Sequence, residues 1–215
     1  MTNPMKAAMI VAAGVFVSSG AIAAPCDTLS NTSVEVDLQE APIDMIRDIT
    51  LADLRAMSAQ LRRQPAHPVL GFYAGTVGYA VRSIGVQDAP SANGPACPGL
   101  RLEADLIAVD RRIAIANDLA GSPCRLKAAV EHYRHHAAAA SLALHRFASE
   151  LPARLGPEIE QHIRSQPGTP QQLRQYIDTL LTGAVDSFTA SLAQVQQEVD
   201  TESEIRRLSA PCDET

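Results

Sequence analysis

A long stripe of apolar residues constrains the fold of this chain more than any other feature. Apolar side chains recur at spacings of four and three residues, at Leu126, Val130, Tyr133, Ala137, Ala140, Leu144, Phe147 and Leu151. At about 100° per residue, these positions lie on one side of an α-helix. The pattern therefore predicts an amphipathic helix over residues 123–150.

Three further segments have helical periodicity. Residues 50–63 carry Leu, Leu, Met and Leu on one side and begin with Thr50 as the expected N-cap. A short helix is predicted over 157–166, and a long amphipathic helix over 171–200, after the break at 167–170. A Ser/Thr-x-x-Glu capping pattern at 201–204 predicts that a helix restarts over 201–209.

The first half of the chain favours β-strands. Alternation predicts a strand at 32–39, and β-branched residues with glycine predict another at 75–86. Two alternating segments within 100–117 predict an antiparallel hairpin with its turn near Val109–Arg111. We therefore expect an α+β fold, in which a small antiparallel sheet packs on the long histidine-bearing helix and a C-terminal helical extension follows.

The first 23 residues have the composition of an export signal. Lys6 gives a short positive region, residues 7–19 are an uninterrupted apolar run, and residues 21–23 have the small-x-small form of a signal peptidase site. The run is shorter than the about 20 apolar residues of a membrane-spanning helix. We predict cleavage after Ala23, a periplasmic or secreted mature chain, and no stable membrane span once the signal is removed.

Charge and composition exclude some partners. The chain carries 24 acidic and 18 basic residues, for a net charge of −6, and it has no basic stripe. Because contacts to phosphate supply most nucleic-acid affinity, we expect no nucleic-acid partner. Tryptophan is absent and aromatics are scarce, which also disfavours a surface for stacking carbohydrate.

All four cysteines follow the export signal, at Cys26, Cys97, Cys124 and Cys212. An even number of cysteines in an exported chain indicates two disulfides, for which three pairings exist. We favour Cys97–Cys124, which would tie a strand to the start of the histidine helix, and Cys26–Cys212, which would tie the two mature ends together. A Cys/His zinc site is disfavoured, since the chain has no Cys-x-x-Cys pair.

Three of the six histidines lie within five positions of the long helix. His132 and His136 are one turn apart, at about 110° and 70° to the same side of the apolar stripe, while His135 lies near the solvent pole. The pair therefore borders the core, where two imidazoles at i and i+4 can hold one metal ion. The alternative is a set of surface histidines without function on an alanine-rich helix.

A series of four motifs resembles a bacterial family of uncharacterised, exported, predicted zinc-dependent proteases of the H-E-x-x-H type. The motifs are "ITLADLRAM" (49–57), "GFYAGTVGYAVRSIGV" (71–86), "CPGLRLEADLIAVDRRIAIAN" (97–117) and "GSPCRLKAAVEHYRHH" (121–136). Their order and loop lengths agree over residues 48–150. The resemblance implies a zincin-like, zinc-peptidase-like domain over 24–166, with zinc as its cofactor. The helical segment at 167–215 lies outside the resemblance, and we expect it to pack on that domain.

One position departs from that family in a way that bears on catalysis. Tyr133 stands where the motif has a glutamate, which takes a proton from zinc-bound water in such enzymes. A phenol is a poor base at neutral pH, and Glu131 points over about 100° away from both histidines. Tyr133 also lies on the apolar stripe, which favours packing; its functional role would be to donate its hydroxyl to a zinc-bound ligand.

The sequence leaves the third metal ligand open. Candidates downstream of the histidine pair are Glu158, Glu160 and His162, and nothing in the sequence selects among them. We expect a degenerate, non-catalytic member of the zinc-peptidase fold that binds a peptide or another exported protein in the cell envelope. The alternatives are an active zinc-dependent peptidase with a base such as Glu158 or Glu160, and a structural or interaction module built on the helix at 171–200.

Overall fold

The computed structural model describes residues 32–60, 69–88, 98–166, 168–209 and 212. The predicted export signal, Cys26 and Cys97 lie outside the described residues. The fold is α+β, as predicted. In chain order its elements are β1 (Ser33–Glu40), β2 (Asp44–Ile49), α1 (Leu51–Gln60), β3 (Gly71–Asp88), β4 (Pro98–Ala116), a 3₁₀ helix (Asn117–Gly121), α2 (Pro123–Ser165), α3 (Pro170–Val199) and α4 (Glu202–Ser209).

Strand β4 is the hub of the sheet. It pairs with β1 and β2 in the order β1-β4-β2, and it also pairs with β3. Strand β2, which sequence patterning missed, runs parallel to β4, with Asp44 opposite Arg112 and Ile46 opposite Ala114. The predicted antiparallel sheet is therefore wrong for this pairing. Helix α1 and strand β3 separate β2 from β4, and parallel neighbours require such a long connection.

The predicted hairpin within residues 100–117 is also wrong, because β4 is one continuous strand. Its buried apolar side chains are even-numbered from Leu100 to Ala108, and beyond that point they include the odd-numbered Ile113 and Ile115. The change of phase falls at Asp110, whose φ of 53° lies in the left-handed region. An extra residue of this kind shifts the alternation without reversing the chain, which explains why the pattern resembled two strands joined by a turn.

The chain divides into two compact units, each assembled from three segments. Unit 1 comprises the described residues of Met1–Gln39, Val77–Ile107 and Arg146–Ser187. Its interior is formed by buried aliphatic side chains from β4, α2 and α3, among them Leu102, Leu106, Leu151, Ile159, Ile177 and Leu181. Unit 1 thus contains residues on both sides of the predicted boundary at residue 166.

Unit 2 comprises Glu40–Thr76, Ala108–His145 and the described residues of Phe188–Thr215. Its core brings together buried residues of α1, β4, α2 and α4, together with the segments that flank them: Leu54, Leu70, Ile113, Ile115, Ala116, Leu119, Ala129, Tyr133, Ala137 and Leu208. Helix α4 is short, and the burial of Leu208 anchors it in this core. The two histidines of the sequence motif belong to this unit.

Helix α2 is longer than its sequence predicted, because the helices expected at 123–150 and 157–166 form one element. Pro152 and Pro157 lie inside it, and each lacks an N–H and disfavours a helix interior. The buried positions Leu151, Leu155 and Ile159 continue with helical spacing through this region. We infer that their burial in unit 1 outweighs the cost of the prolines.

The other predicted helices are confirmed near their expected ends. Thr50 caps α1, since its hydroxyl accepts from the Asp53 N–H at 3.1 Å while the Asp53 carboxylate accepts from the Thr50 N–H at 3.1 Å. Thr201 caps α4, with its hydroxyl accepting from the Glu204 N–H at 3.3 Å. Across the described ranges, no helix is long and apolar enough to cross a membrane.

Among the described residues, a disulfide joins Cys124 to Cys212 across 88 residues. Both predicted pairings, Cys97–Cys124 and Cys26–Cys212, are therefore wrong. The bond ties the first turn of α2 to the chain just beyond α4, and both ends lie in unit 2. The sequence predicts that a helix restarts over 201–209, but the pattern gives no reason to bring Cys212 to the start of α2.

Candidate metal centre

His132 and His136 project from α2 into the interior of unit 2. Their residues are 0% and 7% exposed, so both are more deeply buried than a position at the border of the core would be. Their rings are nearly perpendicular, at 87°, and their Nε2 atoms are 3.0 Å apart. His135 is exposed, as its position on the helix predicted. The i,i+4 spacing thus brings two ring nitrogens to one point.

Asp200 completes the group. It follows the end of α3, and its Oδ1 lies 3.3 Å from His132 Nε2 and 3.2 Å from His136 Nε2. At metal–ligand bond lengths of 2.0–2.1 Å, neighbouring ligands of a tetrahedral or octahedral ion are about 2.9–3.4 Å apart. All three separations fall in that range, so the three atoms can bind one ion as a face of its coordination shell. Asp200 is the most exposed of the three, with 31% of its side chain accessible.

Gln196 fixes the tautomer of His136. Its amide oxygen lies 2.6 Å from His136 Nδ1, and its amide nitrogen donates to the His136 carbonyl oxygen at 3.2 Å. Reversing the amide would place an NH₂ group against Nδ1 and two oxygens against each other, so the arrangement determines the orientation. His136 therefore carries its proton on Nδ1 and presents an unprotonated Nε2 when neutral.

Glu204 fixes the tautomer of His132 in the same way. Its Oε1 lies 3.1 Å from His132 Nδ1. The hydrogen bonds from Arg207 lower the pKa of Glu204 to about 2. Burial acts in the opposite direction, and the hydrogen bond with His132 lowers the pKa further. The carboxylate is therefore ionised and can only accept, so His132 Nδ1 must donate. A metal-binding histidine usually donates its other ring N–H to a carboxylate or carbonyl oxygen in this way.

The two tautomers direct unprotonated nitrogens at each other and at a carboxylate oxygen. Three lone pairs so close together repel unless a cation, either a proton or a metal ion, lies among them. Burial lowers the pKa of His132, and the neighbouring His136 lowers it further, against the carboxylates of Glu204 and Asp200, which raise it. Neutral imidazole is the form that binds a metal ion, and the donor set of two imidazoles and a carboxylate suits a divalent transition metal.

Tyr133, at the glutamate position of the sequence motif, has a structural role. It is 6% exposed, and its hydroxyl accepts from the Gly71 N–H of β3 at 3.1 Å. Burial raises its pKa to about 12, which makes it a still poorer base than an ordinary phenol. Glu131 forms an ion pair with Arg207 at 3.3 Å on the outer side of α2.

The third ligands expected from the sequence are not in the group. Glu160 accepts from the Thr32 N–H at 3.0 Å and pairs with Arg164, and His162 stacks on Tyr176 with ring centroids 3.6 Å apart, all within unit 1. The Glu158 carbonyl contacts the Tyr176 hydroxyl at 3.5 Å, also in unit 1. Asp200 was not predicted as a ligand. The sequence did contain a signal for it, since Gln196, Asp200 and Glu204 follow one another at four-residue spacing and therefore share one side of a helix.

Comparisons with protein-family models, with curated proteins and with solved structures found no match for this chain.

Proposed function

We propose that this chain is an exported metal-binding protein that holds one zinc ion through His132, His136 and Asp200. The observation that carries the proposal is the triangle formed by His132 Nε2, His136 Nε2 and Asp200 Oδ1, with sides of 3.0–3.3 Å. Both Nδ1 atoms lie against oxygen acceptors, which directs both Nε2 atoms toward Asp200 and toward each other, where an ion would be held.

The donor set favours zinc over calcium or magnesium. Two imidazoles and one carboxylate suit a borderline ion, whereas the harder cations prefer oxygen ligands alone. Three protein ligands leave one tetrahedral position for a group from outside the chain. The resemblance to exported H-E-x-x-H proteases supports the same proposal and a zincin-like scaffold.

The protein's role, in this proposal, is to bind rather than to hydrolyse. Tyr133 replaces the catalytic glutamate, and its hydroxyl is engaged by Gly71. The carboxylates of Glu204 and Glu131 are engaged as well, by His132 and by Arg207. The partner would be a peptide or another exported protein of the cell envelope, whose carboxylate or imidazole occupies the remaining coordination position.

Metal content tests the first half of the proposal. Purified mature protein is dialysed against zinc and then against metal-free buffer, and bound zinc is counted by mass spectrometry. We expect one zinc per chain, with His132→Ala, His136→Ala and Asp200→Asn each losing most of it. The matched controls are His162→Ala, a histidine of unit 1, and Glu198→Gln, an exposed acid near the end of α3; both should retain the full amount. Stoichiometric zinc in all variants would refute the site.

A digestion assay tests the second half. The zinc-loaded protein is incubated with a broad peptide library, alongside a chelator-treated sample and the variant Tyr133→Glu, with folding of each checked by circular dichroism. We expect no zinc-dependent cleavage by the native sequence. Cleavage that a chelator abolishes would favour the alternative, an active peptidase with an unconventional base.

A further inference from the structure

We infer that Glu204 and Arg207 are positioning residues for the metal site: Glu204 fixes the tautomer and ring plane of His132, and Arg207 fixes Glu204. The inference rests on the proposed function, because it assigns roles outside the three ligands of that same site. Neither residue contacts the point where the ligand atoms meet, so both act through His132.

The Glu204 carboxylate does not make the capping hydrogen bond expected of its position in α4. It is the third residue after the Thr201 cap, where a glutamate ordinarily reaches back to the N–H of the cap residue. Here the Thr201 N–H donates to the Val199 carbonyl at 2.9 Å, and the Glu204 carboxylate lies instead against His132 Nδ1 at 3.1 Å. Of the two hydrogen bonds of a capping box, the one from the Glu204 N–H to the Thr201 hydroxyl is present. The other is replaced by the contact between the Glu204 carboxylate and His132. A broken local rule of this kind is typical of functional sites.

Arg207 holds the carboxylate in a fixed plane. Its Nε donates to Glu204 Oε2 at 2.9 Å, and its Nη2 donates to Glu204 Oε1 at 2.7 Å. Such a two-point contact uses the planar fork of the guanidinium, which a lysine cannot reproduce. Nη2 also donates to the Ala128 carbonyl at 3.3 Å, and Nη1 pairs with Glu131, so the same side chain ties α4 to α2.

The contact between Glu204 and His132 Nδ1 indicates how much metal affinity should fall when Glu204 is replaced. Without an acceptor at Nδ1, His132 can place its proton on Nε2 and turn, and either change removes a ligand atom from the site. Loss of an outer-shell partner typically lowers metal affinity by about 10- to 100-fold. A more conservative change, which keeps an oxygen acceptor but removes the charge, should lower it by up to about 10-fold, the lower end of that range.

The experiment measures zinc affinity by competition with a chromogenic chelator. We expect Glu204→Leu to bind zinc about 10- to 100-fold more weakly than the native sequence, and Glu204→Gln and Arg207→Lys up to about 10-fold more weakly. Glu202→Gln, an exposed acid on the same helix, is the matched control and should be unchanged. Cobalt substitution adds a second readout, because a reoriented imidazole changes the visible absorption of the ion, whereas a merely structural loss does not.

Each outcome bears on the inference. Native affinity and a native cobalt spectrum in Glu204→Leu would overturn it and leave the three-ligand site standing. If Glu204→Leu does not fold, as judged by circular dichroism without metal, Glu204→Gln decides: equality with the native protein in affinity and spectrum overturns the inference. Failure of the native protein to bind zinc at all would refute the proposed function instead.

Discussion

The Nε2 atoms of His132 and His136 lie 3.0 Å apart, and each ring has its other nitrogen committed to an oxygen acceptor. Two neutral imidazoles in these tautomers cannot hydrogen bond to each other, because neither presents a proton at the point of contact. These three atoms could hold a cation among them, with Asp200 supplying negative charge.

Tyr133→Phe should change stability in a pH-dependent way. At pH 7–9 we expect a loss of about 1–2 kcal/mol, because the buried Gly71 N–H loses its acceptor. The folded state holds the pKa of Tyr133 at about 12. The unfolded phenol ionises from about pH 10, so this stabilisation declines as pH rises toward 12.

The deficit of Tyr133→Phe should therefore shrink by about 1.4 kcal/mol between pH 9 and pH 11. Urea unfolding curves at several pH values measure it, with Tyr176→Phe, in unit 1, as the control. A deficit that stays constant over this range would show that the phenol is not held in its neutral form.

Gly71→Ala should be more damaging than its size suggests. A methyl group at Gly71 would collide with the Ala114 carbonyl oxygen and lie 2.8 Å from Cε2 of Tyr133. Overpacking of this kind costs about 1–3 kcal/mol. Gly78→Ala, on the same strand, meets nothing within 4 Å and should be neutral or slightly stabilising. Equal effects of the two changes on the melting temperature would contradict the packing of β3 against Tyr133.

Replacing both Cys124 and Cys212 by alanine should lower the free energy of unfolding by about 4 kcal/mol, since the bond closes a loop of 88 residues. Denaturant unfolding without reductant measures the loss. Peptide mapping of the unreduced protein provides the second check and should recover a fragment that links Cys124 to Cys212. Recovery of a Cys97–Cys124 fragment instead would restore the pairing expected from the sequence.

Arg111→Met should destabilise unit 2, whereas Arg112→Met should have little effect. Arg111 is 7% exposed, and it pairs with Glu40 at 3.0 Å and donates to the Ala41 carbonyl and the Ser141 hydroxyl. Its removal leaves the half-buried Glu40 carboxylate with Ser141 and His145 as partners, at a cost of about 2 kcal/mol. Arg112, the next residue, is exposed. Similar unfolding midpoints for the two variants would count against the buried ion pair.

Sequence periodicity predicted the features of this fold that are determined by residues within a single helix. The stripe that ends at Leu151 predicted α2, the buried place of Tyr133 and the exposed place of His135, because each helical position faces a direction that spacing determines. The Thr50 and Thr201 caps were predicted for the same reason, since their partners lie within four residues.

Features that depend on which segments meet were not predictable in this way. Asp200 joins the histidines across 64 residues, and the pairing of Cys124 with Cys212 spans 88. The parallel pairing of β2 was missed because its short segment lacks clear alternation, and Asp110 made β4 resemble two strands. In each case packing beyond the local segment decides the outcome. The four-residue spacing of Gln196, Asp200 and Glu204 marks one face of a helix, but it does not identify the segment that this face meets.

Anomalous diffraction from a zinc-loaded crystal, recorded on both sides of the zinc absorption edge, tests the central claim most directly. The account predicts one strong peak at about 2.0–2.2 Å from each of His132 Nε2, His136 Nε2 and Asp200 Oδ1. No peak at that point, or a peak held instead by Glu158, Glu160 or His162, would contradict it.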